Sequence, residues 1–172
     1  MFRLARRVAL SVLALAVLAT GVLFAWGHLA PREVSTTIEI AAPADRVWAV
    51  LTDFRAYPEW NPFIVRAEGE PRKDARLHNT LRDLDGGTMK FDPKVLVADP
   101  GRELRWIGRM WMPGIADGEH HFTIEPLGPG RVRLTQGERF TGALVPVAGG
   151  QLDVKEEFAA MNAALKARAE RS

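Results

Sequence analysis

Residues 118–142 read GEHHFTIEPLGPGRVRLTQGERFTG, two runs of alternating polarity on either side of Gly128-Pro129-Gly130. Alternation with period two puts residues i, i+2 and i+4 on one face of a strand, and a Gly-Pro-Gly break between two such runs makes a hairpin. In the first run His120, Phe122 and Ile124 share a face, while His121, Thr123 and Glu125 share the other. In the second, Val132, Leu134, Gln136, Glu138 and Phe140 lie opposite Arg131, Arg133 and Arg139. The apolar faces belong inside, and they carry His120, Gln136 and Glu138 inward with them. In a hairpin, His120 and Glu138 lie toward the ends away from the turn, within reach of each other.

Working back from the hairpin, the alternation predicts strands over about 63–70, 75–83, 88–98 and 103–111, before those at 118–127 and 131–142. Turn residues separate most of them: Gly69 with Pro71, Asp85-Gly86-Gly87, Asp99-Pro100-Gly101 and Pro113-Gly114. In the 103–111 strand Leu104, Trp106 and Met110 form the apolar face and Arg105 and Arg109 the other. An earlier strand runs from Val34 to Ile40, followed by a helix that Pro43 opens and in which Val47, Trp48, Val50 and Leu51 make the apolar stripe. Tyr57-Pro58-Glu59-Trp60-Asn61-Pro62 breaks that helix. At the other end, about Leu152 to Ala169, Val154, Phe158, Met161 and Leu165 recur at helical spacing. The expected fold is therefore α+β: a curved antiparallel sheet of about seven strands wrapped around a long C-terminal helix, with room for a cavity between them.

Ahead of this domain, Val8 to Leu29 contains no Asp, Glu, Lys or Arg. About 22 residues at 1.5 Å each cross a hydrocarbon core of roughly 30 Å. The organisation expected is an N-terminal transmembrane helix in residues 1–30 and a ligand-binding domain in 31–172. A signal peptide cleaved after Ala25-Trp26-Gly27 is the alternative, although its apolar run is usually shorter. Arg3, Arg6 and Arg7 place the N-terminal side in the cytoplasm, so the expectation is a single-pass membrane protein with its domain on the outer, periplasmic or extracytoplasmic, side.

The 172 residues carry 23 basic and 21 acidic side chains, a balance that argues against nucleic acid as a partner. With no cysteine, disulfides, thiolate zinc sites and a cysteine nucleophile are excluded. The serines, Ser11, Ser35 and Ser172, lie outside the inward strands, which disfavours acyl-enzyme chemistry. His120 and His121, being neighbours in a strand, point to opposite faces and do not chelate one ion, so no metal and no other cofactor is expected. His78 is expected on the outer face in solvent. Trp48, Trp60, Trp106 and Trp111 are expected in the core or at its rim.

Several stretches together resemble a known superfamily. They are Ile38-Glu39-Ile40-Ala41-Ala42-Pro43-Ala44-Asp45-Arg46-Val47-Trp48, Asp53-Phe54 leading to Tyr57-Pro58-Glu59-Trp60-Asn61-Pro62, and Glu103-Leu104-Arg105-Trp106. Gly118-Glu119-His120-His121-Phe122 and Gln136-Gly137-Glu138-Arg139-Phe140-Thr141-Gly142 complete the set. The domain resembles the START-like, or SRPBCC, proteins, the polyketide cyclase/dehydrase and lipid-transport group. The resemblance implies a helix-grip fold with Trp60 and Asn61 near the pocket mouth; with the inward residues Trp106, Met110, His120, Phe122, Gln136, Glu138, Phe158 and Met161 they make up the expected ligand-binding site.

Three functions are compatible with these residues. The first is a membrane-anchored binding or transport protein that holds a lipid, an isoprenoid or a polyketide-like molecule in an internal cavity. The second is a cyclase/dehydratase in which His120 is the acid or base and Glu138 fixes its tautomer. The third is an interaction scaffold with a collapsed cavity. For the His120, Gln136 and Glu138 group the first expectation is that the three hydrogen-bond one another to satisfy enclosed polar atoms, ahead of orienting a ligand headgroup and of catalysis. Met110-Trp111-Met112-Pro113-Gly114-Ile115 suits a gate over the pocket or a patch dipping into the membrane, gating being preferred.

Overall fold

A computed structural model describes residues 2–110 and 112–171, Gln151 by its backbone alone. The expectation for Trp111 therefore lies outside the described residues, as does Ser172. The chain opens with helix α1 (Phe2–Leu29), strand β1 (Arg32–Ile40) and helix α2 (Ala44–Thr52). A 3-10 turn at Phe54–Ala56 leads into the short helix α3 (Tyr57–Trp60). Then come β2 (Ile64–Glu68), β3 (His78–Arg82), β4 (Thr88–Phe91), β5 (Lys94–Asp99), β6 (Glu103–Met110), β7 (Ala116–Gly128) and β8 (Arg131–Thr141). Two 3-10 turns, Val145–Val147 and Gly149–Leu152, precede the last helix, α4 (Lys155–Ala169).

The strands form an antiparallel sheet in the order β1-β8-β7-β6-β5 and a three-stranded sheet in the order β2-β3-β4. The expectation of about seven strands is thus corrected to eight among the described residues, in two sheets. The run 88–98, read as one strand, breaks at Asp92-Pro93. Pro93 has no N–H to give a ladder, and its carbonyl instead accepts the Leu77 N–H at 2.9 Å. That bond, the Arg76–Lys94 bridge and Asp74 N–H to the Val95 carbonyl at 2.9 Å hold the lead into β3 beside β5. The chain changes sheets there, and the eight strands curve round α4.

Helix α4 seats Phe158, Met161 and Leu165 against the sheet, all fully buried. The same face carries Asn162, whose Nδ2 donates to Thr36 Oγ1 at 2.7 Å and ties the helix to the edge strand β1. Below α3, the Tyr57 hydroxyl donates to the Leu51 carbonyl at 2.6 Å, closing the end of α2. Burial first, and then the Asp53 charge, push that phenol above its ordinary range, so it stays neutral. His78 is exposed, as expected, with Nδ1 at 2.9 Å from Asp92.

Helix α1 extends away with its apolar middle uncovered by the domain. Only its end is held. The Gly142 N–H donates to the Gly27 carbonyl at 3.1 Å, an approach so close that a Cβ on Gly27 would sit 1.8 Å from the Gly142 oxygen. Glycine is the residue that permits such a contact.

Candidate functional site

The ladders set the inner face of the grip. Trp106 pairs with His120 and His120 with Glu138; one row deeper, Leu104 pairs with Phe122 and Phe122 with Gln136. One row outward, Gly108 pairs with Gly118 and Gly118 with Phe140. Side chains of one row lie about 5 Å apart, so these residues touch across strands.

His120 sits at the centre of the inner face and is buried. Its ring stacks on Trp106 with centroids 4.9 Å apart and planes 11° from parallel, and meets the edge of Phe158 at 4.9 Å. Phe122 lies tilted at 4.9 Å. Both ring nitrogens are engaged. Gln136 Nε2 donates to His120 Nε2 at 3.2 Å, which makes that nitrogen the acceptor and leaves Nδ1–H to donate to Glu138 Oε2 at 3.2 Å. The ring is held from both sides, which fixes its orientation in the inner face. Gln136 Nε2 also lies 3.6 Å from Met161 Sδ.

Two polar atoms on the residues flanking this ring have no partner. Gln136 Oε1 and Trp106 Nε1 are buried without a hydrogen bond, one an acceptor and the other a donor. A buried polar group left unpaired forfeits about 1–3 kcal/mol, so each is a position where a ligand hydroxyl, carbonyl or water would be stabilised.

The row of glycines shapes the way in. A Cβ on Gly118 would lie 2.2 Å from Glu138 Oε1, and one on Gly108 would lie 2.7 Å from the Phe91 ring. The bare backbone of this row therefore houses the Glu138 carboxylate on one strand and Phe91 on its neighbour. Neither glycine stands out by the alternation of the strands. The available signal is that a glycine inside a strand marks a close approach. Asn79 of β3, buried with both amide atoms unpaired, also escaped notice because a single polar residue among Leu77, Thr80 and Leu81 carries no pattern.

Of the residues expected to line the site, Trp106, His120, Phe122, Gln136, Glu138, Phe158 and Met161 come together around the imidazole. Met110 shares the face of Trp106 but lies four residues further along β6, where it is exposed. Trp60 and Asn61 lie in the α3–β2 turn. Asn61 Oδ1 accepts from the Phe63 N–H at 3.0 Å and the Ile64 N–H at 2.9 Å, while its Nδ2, like Trp60 Nε1, is buried without a partner. Trp60 packs edge-on to Tyr57, with centroids 5.0 Å apart.

The base of the grip is filled rather than hollow, since Trp106, Phe122, Phe158 and Met161 leave at most 1% of their surface exposed. Toward Met110 and Met89 the same face opens to solvent, with Met89 paired to Leu81 on β3. Two grooves lie on the outside: one of about 330 Å³ between α2 and α4 at Asp53 and Arg168, and one of about 660 Å³ at Trp48, Arg102 and Pro126. Neither includes an inward residue of β6, β7 or β8 apart from Ile124.

On the outer face, Arg105 bonds Glu103 and Glu119, each at 2.6 Å. His121 is half-buried beside this cluster and against Gly137. Burial, then the neighbouring His120 and the Arg105 charge, hold its pKa below the ordinary histidine value.

The family model for polyketide cyclase / dehydrase and lipid transport matches residues 31–170. Among solved structures, the ZhuI aromatase/cyclase from a Streptomyces species superposes with a TM-score of 0.67 at 22% identity, covering 82% of this chain and 94% of that one. A START superfamily protein from Mycobacterium smegmatis superposes at 0.59 with 26% identity, over 80% of this chain and 97% of that one. Norcoclaurine synthase from Thalictrum flavum, in complex with dopamine and hydroxybenzaldehyde, superposes at 0.63 with 13% identity, over 83% and 89% of the two chains. No curated protein matches the chain.

Proposed function

Because residues 31–170 belong to the polyketide cyclase / dehydrase and lipid transport family, we propose that the chain is a membrane-anchored carrier for a hydrophobic small molecule, held between the curved sheet and α4. The observation that carries this reading is the pair of unpaired atoms, Gln136 Oε1 and Trp106 Nε1, beside the fixed His120 in an otherwise apolar grip. Once the packed side chains beside them part, they supply one acceptor and one donor for the polar end of a lipid, isoprenoid or polyketide-like ligand. The apolar part would lie along Phe91, Met89 and Met110, where two flexible methionines adapt to its shape.

Helix α1 is read as the anchor, and the domain 31–172 as lying on the outer side of the membrane. The length of the uncharged run in α1, Val8 to Leu29, supports retention of the segment, since the apolar stretch of a signal peptide is usually shorter. The engagement of both His120 nitrogens favours binding over proton transfer. A second reading, cyclase-type acid–base chemistry, is favoured by the contact of His120 with Glu138 and requires Gln136 to release Nε2.

The test is native mass spectrometry of the full chain extracted in mild detergent, with displacement by fluorescent fatty-acid and isoprenoid analogues. A retained small molecule is expected, together with weaker binding by Met161→Trp, which overpacks the filled base and has first to be shown folded, and unchanged binding by Arg133→Gln on the outer face. No retained molecule, and no analogue bound by the wild type, would overturn the carrier reading. Conversion of a bound polyketone that His120→Ala abolishes while binding persists would move the assignment to the enzyme.

A further inference from the structure

The membrane-anchored reading above leaves open which way the grip faces, and the end of α1 answers it. Its hold on the domain is a set of backbone contacts with two loops, 112–115 and 142–148. A Cβ on Gly114 would lie 2.9 Å from the Phe24 ring and 3.6 Å from His28, and Gly27 is bonded to Gly142. The loops are bonded to each other as well, Ala143 N–H to the Gly114 carbonyl and Leu144 N–H to the Ile115 carbonyl, both at 3.0 Å. They make one backbone-tied unit seated on the last two turns of α1.

The depth of that unit follows from the helix. Counting from Val8, which follows the last arginine of the N-terminal group, about 20 residues at 1.5 Å bring the chain to Gly27, roughly the 30 Å thickness of a hydrocarbon core. Gly27 and Gly142 then lie at the far edge of the acyl region, with Phe24 inside it. The exposed side chains of the unit are apolar: Met112 is 63% exposed, Val147 66% and Leu144 36%. On the same end of the domain, Met110, 45% exposed, is the last inward residue of β6, where the inner face opens. Lipid that covers α1 as far as Trp26 continues onto these loops, because they are packed against the same turns.

We infer that the 112–115 and 142–148 loops form a platform resting in the lipid headgroup boundary, which holds the open end of the grip against the leaflet from which α1 emerges. A hydrophobic ligand then passes between the acyl chains and the inner face past Met110 without crossing water. The apolar loop residues gain burial in the headgroup boundary, as an interfacial helix does. The inference rests on the reading of α1 as a span.

The absence of cysteine makes the test direct, since a single introduced cysteine reports only its own site. Met112→Cys, Val147→Cys, Leu15→Cys and Arg131→Cys, each at an exposed position, carry an environment-sensitive fluorophore in the full chain reconstituted into phosphatidylcholine/phosphatidylglycerol vesicles. Arg131 lies at the turn on the opposite end of β8. Labels at 112 and 147 are expected to be quenched by lipids bearing a nitroxide near the headgroup and shielded several-fold from aqueous iodide relative to the label at 131. The label at 15 should be quenched by nitroxide deep in the acyl region. Iodide access at 112 and 147 equal to that at 131, with the label at 15 deep in lipid, overturns the platform and leaves the anchor intact. Shielding at 112 and 147 without lipid quenching indicates association between copies and overturns it also. A label at 15 that meets iodide and no lipid overturns the anchor, and the platform with it.

Discussion

Glu138 stands directly across the β7–β8 ladder from His120 and accepts its Nδ1–H at 3.2 Å, with the carboxylate nearer the surface than the imidazole. The carboxylate acts as the acceptor that orients the ring. Glu138→Leu removes it and leaves a buried N–H unpaired, an expected loss of about 1–3 kcal/mol, while Glu138→Gln keeps an acceptor oxygen and is expected to lose less. Urea denaturation of the two variants checks the order. Equal stabilities for Leu and Gln would show that the contact carries no weight.

Gly118 gives the same contact a second handle. A methyl group there overlaps Glu138 Oε1, so Gly118→Ala is expected to swing the carboxylate off His120 and destabilise the protein. In a Glu138→Ala background the obstruction is gone. The same substitution is then expected to stabilise by about 0.5–1 kcal/mol, the gain of alanine over a glycine inside a strand. A double-mutant cycle reads the change of sign, and an effect of the same size and sign in both backgrounds would count against the packing described.

His121, on the outer face of the same strand, sets a pH dependence. Its pKa in the folded protein is lowered, by burial first and then by His120 and Arg105, so the unfolded chain takes up this proton before the folded one does. The stability it contributes is fully present above its unfolded pKa of about 6.5 and is lost as pH falls through that value toward the lowered one. Glu103 and Glu119 beside it oppose the shift and limit its size. The melting temperature of the wild type is expected to fall between pH 7.5 and the lowered folded value more steeply than that of His121→Gln. Parallel curves for the two proteins would remove His121 as the cause.

The parts of the site legible in the sequence are those that obey one period. Alternation in 118–142 was enough to turn His120, Gln136 and Glu138 inward, and the spacing of Phe158, Met161 and Leu165 was enough to seat α4. Asn162 was also within reach, because it lies four residues after Phe158 on the same face. What alternation cannot supply is a contact between elements far apart in the chain. Phe91 over Gly108 depends on how two sheets meet, and the filled base of the grip depends on four large side chains from two strands and a helix interlocking. The break at Pro93 was legible in principle, since proline is disfavoured within a paired strand, but the apolar run around it masked the break.

The domain boundary yields the last prediction. No residue of α1 belongs to the buried core, which runs from Ile40 to Ala169 and closes through β1, α2 and α4. What α1 gives the domain is the bond from Gly142 N–H to Gly27 and the packing of Phe24 against Gly114. Both lie at one end of the sheet, where water replaces the lost partner of Gly142 at little expense. A fragment of residues 31–172 is therefore expected to fold with a single cooperative transition. Its loops at 112–115 and 142–148, deprived of α1, should exchange amide hydrogens faster than in the full chain, while β6, β7, β8 and α4 keep their protection. Calorimetry and hydrogen exchange on the two proteins measure this. A broad, non-cooperative melt of the fragment, or lost protection in α4, would mean that α1 is part of the folding unit rather than a tether attached to it.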